Sequence, residues 1–194
     1  MADTVTCPTL QDYLNSEKCL ENIGGTSSVL YVGNKADLKS PMALTDNEYS
    51  TPEFNTGKGL YRFDLKNDTQ QVQGESAGQN KGFNLTYDGT IDAVNKTISK
   101  LSRAFNNLDL FLIVMDAGTG DSLILYDPNK RVTCDSGGIK ADTGKQSSDD
   151  RATTLQFKLN GVKYDTLYVK EPETGGWDSL LASASKAASE TPHS

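Results

Sequence analysis

The sequence predicts a mainly β fold of the α+β class: an antiparallel β-sandwich or barrel with one flanking amphipathic α-helix. Three observations carry this expectation. Along residues 81–91, Phe83, Leu85, Tyr87 and Ile91 take one face while Asn84, Thr86, Asp88 and Thr90 take the other, a period of two that belongs to a strand. Directly afterwards Val94, Ile98, Leu101, Phe105 and Leu108 recur at steps of four, three, four and three, which draws one apolar stripe along a helix. Finally, glycine, serine, threonine, asparagine and aspartate are abundant between short apolar runs, so turns are frequent and the strands they join are antiparallel.

In chain order, residues 8–18 read as a short helix, since Pro8 suits a first helical turn and Leu10, Tyr13 and Leu14 share a side. Gly24-Gly25 ends it. Residues 28–32 read as a strand, broken at Gly33-Asn34. Residues 34–58 are polar, hold Pro41 and Pro52, and read as a long excursion with little regular structure. Strand character resumes at 59–65, where Tyr61, Phe63 and Leu65 alternate with Arg62 and Asp64. Residues 70–74 pair back after the turn at Asn67-Asp68. The strand at 81–91 leads into the central helix, for which Asp92 is the expected N-cap and Asn106-Asn107 the end.

The run DLFLIVM at 109–115 is continuously apolar after Asp109, as expected of a strand buried on both faces. A turn at 116–120 returns the chain along 122–126 as a hairpin. Residues 131–135 form a further short strand. After the loop 135–151, Leu155, Phe157 and Leu159 point inward, and Thr154, Gln156 and Lys158 outward. A turn at Asn160-Gly161 and a strand over 163–169 close the set of about seven to nine strands. The length, 194 residues, suits one domain. That domain spans 1–170, with 34–58 and 135–151 as long loops or arms. Residues 171–194 form an Ala/Ser-rich tail, in which Trp177, Leu180, Leu181 and Ala184 can line a short helix.

The net charge of −7 disfavours nonspecific adhesion to nucleic-acid phosphates. No segment reaches the roughly 20 apolar residues of a membrane span, and the start MADTVTCPTL lacks the charged beginning and apolar run of a secretion signal. The expectation is a soluble protein made in the cytoplasm, without membrane insertion. Cys7, Cys19 and Cys134 make no disulfide framework and no zinc spacing, and the one histidine, His193, is next to the last residue. The cysteines are expected to be free thiols.

The stretch DSGGIKADTGKQSSDDR, residues 135–151, resembles a phosphate-binding loop at first sight. A P-loop needs Gly, four residues and Gly-Lys-Ser/Thr between a strand and a helix. Here five residues separate Gly138 from Gly144-Lys145, Gln146 replaces the hydroxyl residue, and a strand follows. The glycines Gly74, Gly78 and Gly82 precede a strand, so the dinucleotide fingerprint fails as well. Asp135, Asp142, Asp149 and Asp150 carry the charge of a hard-cation site but lack its spacing. No His-based dyad or nucleophile elbow is present. No catalytic residue, cofactor or metal is expected, and the loop reads as a β–β connection.

The order of motifs adds a further reading. CPTLQDYL at Cys7 precedes Gly24-Gly25 and a strand, then GKGLYRFD and GESAGQNKGF. After the long strand come RAFNNLDLFLIV, LILYDPNKRV, DSGGIKADTGK and DDRATTLQFKL. In this order they resemble the tail tube (major tail) proteins of bacteriophages and prophages of gut Bacteroides-type bacteria. The resemblance covers most of residues 7–169; 34–58 and the tail after Lys170 lie outside it. It implies subunits that assemble as hexameric rings whose inner sheets join into one β-lined tube, a virion tail structure assembled in the host cytoplasm. Its implied partners are further copies of the chain, the tape-measure protein, and tail terminator and baseplate proteins, with genomic DNA passing through the lumen unbound. In that setting Asn84, Thr86, Asp88 and Thr90 are candidates for an acidic lumen lining. Gly138, Lys140, Asp142, Lys145, Asp149, Asp150 and Arg151 are candidates for an inter-subunit arm, and 34–58 for a contact with the adjacent ring. A tube of a contractile injection or secretion system, a ligand-binding or adhesive β-sandwich, and a nucleotide-dependent enzyme are the alternatives.

Overall fold

A computed structural model describes residues 24–79, 81–146 and 149–182. The expected helix at 8–18, and Ala184, lie outside the described residues. Among the described residues, eleven strands and one α-helix follow in chain order. The strands are β1 (Thr26–Asn34), β2 (Leu44–Thr45), β3 (Glu48–Tyr49), β4 (Tyr61–Asp64), β5 (Gln71–Ser76), β6 (Phe83–Ile91), β7 (Leu110–Asp116), β8 (Ser122–Leu125), β9 (Ile139–Asp142), β10 (Ala152–Val162) and β11 (Tyr168–Val169). The helix α1 (Lys96–Asn107) lies between β6 and β7. A seven-stranded sheet has the order β2-β3-β11-β8-β7-β1-β4, and a four-stranded sheet the order β5-β6-β10-β9. All pairs are antiparallel except β3 with β11. The mainly β class with one helix is therefore present, as two sheets.

One hydrophobic core runs between the sheets. From the large sheet, Leu30, Val32, Leu112 and Val114 face it; from the small one, Leu85, Tyr87, Leu155, Phe157 and Leu159 do. The helix plugs one side. Phe105 packs edge-on against Phe63 of β4 (5.3 Å) and Phe157 of β10 (5.8 Å), joining both sheets through one ring. Its N-cap is Asn95, not Asp92: the Asn95 side chain accepts from the Ile98 amide at 2.9 Å. The chain bends at 91–94, with Ala93 N–H donating to the Ile91 carbonyl, so the helix begins one turn later than the apolar stripe implies. Leu108 at the other end is exposed.

The second face of the large sheet is also covered. Tyr31, Phe111 and Ile113 point away from the small sheet, and two segments cover them. Residues 34–58, expected as a long excursion with little regular structure, pack on their own sheet together with Gly59 and Leu60. They contribute the β2–β3 hairpin, bury Met42 and Tyr49 and stack Phe54 on Phe111 at 6.3 Å. Beyond residue 170 the packing continues. Trp177 is 2% exposed, lies 6.4 Å from Tyr31 and donates its indole N–H to Ser122 Oγ at 2.8 Å. Leu181 and Ala182 are buried as well. Trp177–Leu180 forms a short 3-10 helix. This double coverage is why β7 is buried at five successive positions.

Several boundaries differ from those expected. β1 runs on through Gly33-Asn34, where a Cβ on Gly33 would meet the Phe111 ring at 2.2 Å. β5 pairs with β6 rather than with β4. No strand forms at 131–135, where only Thr133 bridges to Lys158. β10 passes through Asn160-Gly161 as a register shift instead of turning there, and 163–169 yields only the two residues of β11.

Candidate functional site: the bare face of the four-stranded sheet

The alternation that points Leu85, Tyr87 and Ile91 into the core points Asn84, Thr86, Asp88 and Thr90 to the opposite face, and all four are part-exposed. The register extends this face sideways. Thr90 lies opposite Thr154, Asp88 opposite Gln156 and Thr86 opposite Lys158 on β10. On the other flank Asp88, Thr86 and Asn84 lie opposite Gln71, Gln73 and Glu75 of β5. Lys140 of β9 stands opposite Thr154, and Asp142 opposite Ala152. The four strands therefore present one continuous polar face, which no other described element covers.

Its side chains satisfy one another. Gln156 Nε2 donates to Asp88 Oδ1 at 2.8 Å, and Gly161 N–H donates to Asn84 Oδ1 at 3.1 Å across the β10 irregularity. Lys158 pairs with Asp135 at 2.7 Å, and this hydrogen bond raises the ammonium above its ordinary value. Lys140 and Asp142 approach to 3.9 Å. Glu75, Asp88 and Asp142 are thus offset by two lysines, so the face is polar and mixed in sign rather than uniformly acidic. A shallow polar dent of about 250 Å³ lies across it, bordered by Asp88, Thr90, Thr154, Gln156 and Gly137-Gly138. Gln71, Gln73 and Glu75 belong to the face through the same period of two, although the turn at Asn67-Asp68 suggests that 70–74 pairs back across it.

Both edges of this sheet are open strands, β5 on one side and β9 on the other. β9 comes out of the stretch expected as a free loop. Ile139–Asp142 pairs with β10 as far as Ala152, so the connection is a hairpin of the sheet. Gly138 is needed for this approach: its carbonyl accepts from Gln156 N–H, and a Cβ there would stand 2.8 Å from the Gln156 carbonyl. At the tip Lys145 and Gln146 donate their amides to Asp149 Oδ2 at 2.8 and 2.9 Å. Those two amides hold the Asp149 carboxyl below its ordinary value. The backbone donors that a phosphate would use in the Gly-Lys turn are therefore bonded to a carboxylate of the same loop.

The residues singled out in 135–151 do not converge on one point. Gly138, Lys140 and Asp142 lie on or beside β9, and Lys145 and Asp149 form the tip. Asp150 reaches Lys66 at 2.6 Å, and Arg151 donates to the Val94 carbonyl at 3.1 Å, just ahead of the helix. Asp150 and Arg151 thus fasten the hairpin to their own domain. Cys134 is half-buried, and burial together with Asp135 pushes its thiol up to about 11, which leaves little thiolate at neutral pH. Among the described residues, no three His, Cys, Asp or Glu groups come together to hold a metal ion, and no helix is long and apolar enough to cross a membrane.

No protein-family model matches the chain, and no solved structure matches it. A 138-residue stretch is 25% identical to an acetate kinase from Streptococcus mutans serotype c (strain ATCC 700610 / UA159), covering 67% of this chain and 34% of that protein. The chain thus spans about a third of the length of the curated protein it matches, and at that identity the likeness assigns it to no family.

Proposed function

We propose that the chain is a structural tail-tube protein of a bacteriophage, which polymerises as stacked hexameric rings into the conduit for DNA ejection. The observation that carries this reading is the four-stranded sheet: one face is sealed on the core, the other is polar and bare, and strands with unpaired edges stand at both sides. Sheets of this form, set edge to edge around a ring, make a continuous polar wall with no exposed strand edge. Asn84, Thr86, Asp88 and Thr90 then line the lumen at mid-height, with Gln71, Gln73 and Glu75 on one side and Thr154, Gln156 and Lys158 on the other. Each lysine of the wall has a carboxylate beside it, so passing phosphates meet no unpaired cation there. DNA slides rather than sticks.

The tape-measure protein fills such a lumen before ejection, and terminator and baseplate proteins close its ends; the particle is a virion tail assembled in the host cytoplasm. A tube of a contractile injection system uses the same wall and is the nearest second reading. A phosphoryl-transfer activity, which the likeness to an acetate kinase raises, needs a phosphate cradle. In the Gly-Lys turn the candidate amides are bonded to Asp149, and β10 follows where a helix N-terminus is required. Electron microscopy of the purified protein tests the proposal. Tubes or six-fold rings are expected; a monodisperse monomer at high concentration would contradict it.

A further inference from the structure

One face of α1 carries charge that nothing in the chain answers. Lys96, Lys100 and Arg103 are exposed and recur at steps of four and three, so they form one ridge on the side opposite Phe105 and the core. The helix holds no acidic residue. Like charges four residues apart repel, and a lysine in the first turn sits at the positive end of the helix dipole. Among the described residues, no side chain forms an ion pair or hydrogen bond with these three cations. Two more cations flank the ridge: Arg151 donates to the Val94 carbonyl ahead of the helix, and Arg131 to the Leu108 carbonyl behind it at 3.0 Å. In a chain of net charge −7, this concentration of unpaired positive charge has a local cost and no local gain.

The opposite charge collects at β11. A cleft of about 370 Å³ opens there, and exposed Glu48, Asp121 and Glu171 border it. Among the described residues, none of the three is within ion-pair distance of a cation, and Lys170 on the rim is held to Glu173 at 3.5 Å. Burial, together with Asp121, Asp116 and Asp165, raises the Tyr168 hydroxyl in this cleft above its ordinary value, as a negative field does. Ridge and cleft belong to different flanks of the small sheet. On the β5 flank, Gly74 is backed by the carbonyl of Asp165, just ahead of β11. On the β9 flank, Ala152 pairs with Asp142, and its neighbours Arg151 and Thr153 bond to the Val94 and Ala93 carbonyls at the helix start.

We infer that the ridge formed by Lys96, Lys100 and Arg103 of one copy docks on the cleft bordered by Glu48, Asp121 and Glu171 of a second copy of this chain. The inference rests on the proposed ring, in which β5 of one copy meets β9 of the next, since that contact brings the helix flank of one subunit to the cleft flank of its neighbour. Charge complementarity selects the occupant: the ridge needs carboxylates, and the cleft offers carboxylates without cations. The two surfaces differ, so the contact is heterologous and repeats from copy to copy. It also gives the assembly a direction. A strand edge can pair with any other strand edge, β5 with β5 included, whereas ridge against ridge and cleft against cleft repel. The charged pair therefore admits only the head-to-tail order that a ring requires.

Charge reversal tests the inference. The parent is compared with a ridge reversal (Lys96→Glu, Lys100→Glu, Arg103→Glu), a cleft reversal (Glu48→Lys, Asp121→Lys, Glu171→Lys) and a protein combining both. Self-association is followed by sedimentation velocity over a concentration series, and the products are viewed by electron microscopy. Each reversal alone is expected to weaken association at least tenfold, and the combination, which has the parent's net charge, recovers most of the loss. Net charge alone predicts otherwise: an acidic chain would associate less after the ridge reversal and more after the cleft reversal. A gain from the cleft reversal therefore overturns the inference. Tubes that form equally well from the parent and from both reversals also overturn it, and leave the tube reading standing. Association that each reversal weakens and the combination restores, without tubes or rings, supports the docking and contradicts the tube instead. A parent that stays monomeric at every concentration contradicts both. Where a reversed protein lacks the parent's cooperative melt, Lys96→Gln, Lys100→Gln and Arg103→Gln together, or Glu48→Gln, Asp121→Asn and Glu171→Gln together, take its place with the same expected weakening.

Discussion

The two sheets of this protein share a core but meet their surroundings differently. In the central strands of the seven-stranded sheet, β1, β7 and β8, both faces are dry: the inner face lies on the small sheet and α1, and the outer face lies under residues 35–60 and the segment carrying Trp177. In the four-stranded sheet only the inner face is dry, and Asn84, Thr86, Asp88 and Thr90 remain on a bare side. Burying one face already secures a strand's place in the fold. The large sheet is therefore the scaffold, and the proposed tube wall uses the unburied face and edges of the small one.

Substitutions can break this comparison, and the largest expected effect is at the covering segment of the large sheet. Trp177→Ala removes a buried indole and strands the Ser122 hydroxyl, at a cost of about 3–5 kcal/mol in chemical denaturation. A small loss there would mean that the outer face is not sealed as described. Gly74→Ala on the inner side of β5 comes next. Its Cβ would stand 1.8 Å from the Asp165 carbonyl, so the 163–167 connection must move, at about 1–3 kcal/mol. Asn95→Ala removes the helix cap and costs about 1 kcal/mol, whereas Asp92→Ala changes stability by less than about 0.5 kcal/mol.

On the bare face, Thr86→Ser leaves monomer stability within about 0.5 kcal/mol. A loss comparable to that of Trp177→Ala would show that this face is buried within the chain. The smallest effect is at the hairpin tip. The folded chain lowers the Asp149 carboxyl below its ordinary value, so its contribution is present above the unfolded value of about 3.9. That contribution fades as pH falls through the lower folded value. Nuclear magnetic resonance should therefore show the Lys145 and Gln146 amides titrating with a midpoint below that value, and a midpoint at it would mean the two bonds do not persist.

Much of this difference is legible in the sequence where pattern is local. β6 and β10 are long enough for period two to name both faces, and β7 announces two-sided burial by lacking any polar alternation. What is not legible depends on distant partners. Met42, Tyr49 and Phe54 are scattered through polar residues and acquire meaning only when they meet Tyr126 and Phe111. The four residues of β9 carry a single large apolar side chain, Ile139, too little for a strand pattern, and pairing with β10 alone defines them. In the Ala/Ser-rich stretch Trp177, Leu180 and Leu181 carry the signal, since large apolar side chains favour burial. The cap lies at Asn95 rather than Asp92 because the backbone is still turning out of β6 at Ala93 and Val94, although these residues extend the apolar stripe backwards. Of the candidate face, the β6 and β10 halves follow from alternation, but the β5 flank needs the strand pairing.

The proposed ring requires that β5 of one copy meet β9 of the next. Cysteine cross-linking tests it most directly, with Cys7, Cys19 and Cys134 changed to Ala. One cysteine replaces Gln71, Gln73 or Glu75, and the other replaces Lys140 or Asp142. Within one chain these positions are three strand spacings apart, roughly 14 Å, beyond the reach of a disulfide. If the ring forms, at least one pair oxidises to a ladder of species ending at six copies. Monomers alone from every pair, at concentrations where the parent protein is abundant, would contradict it.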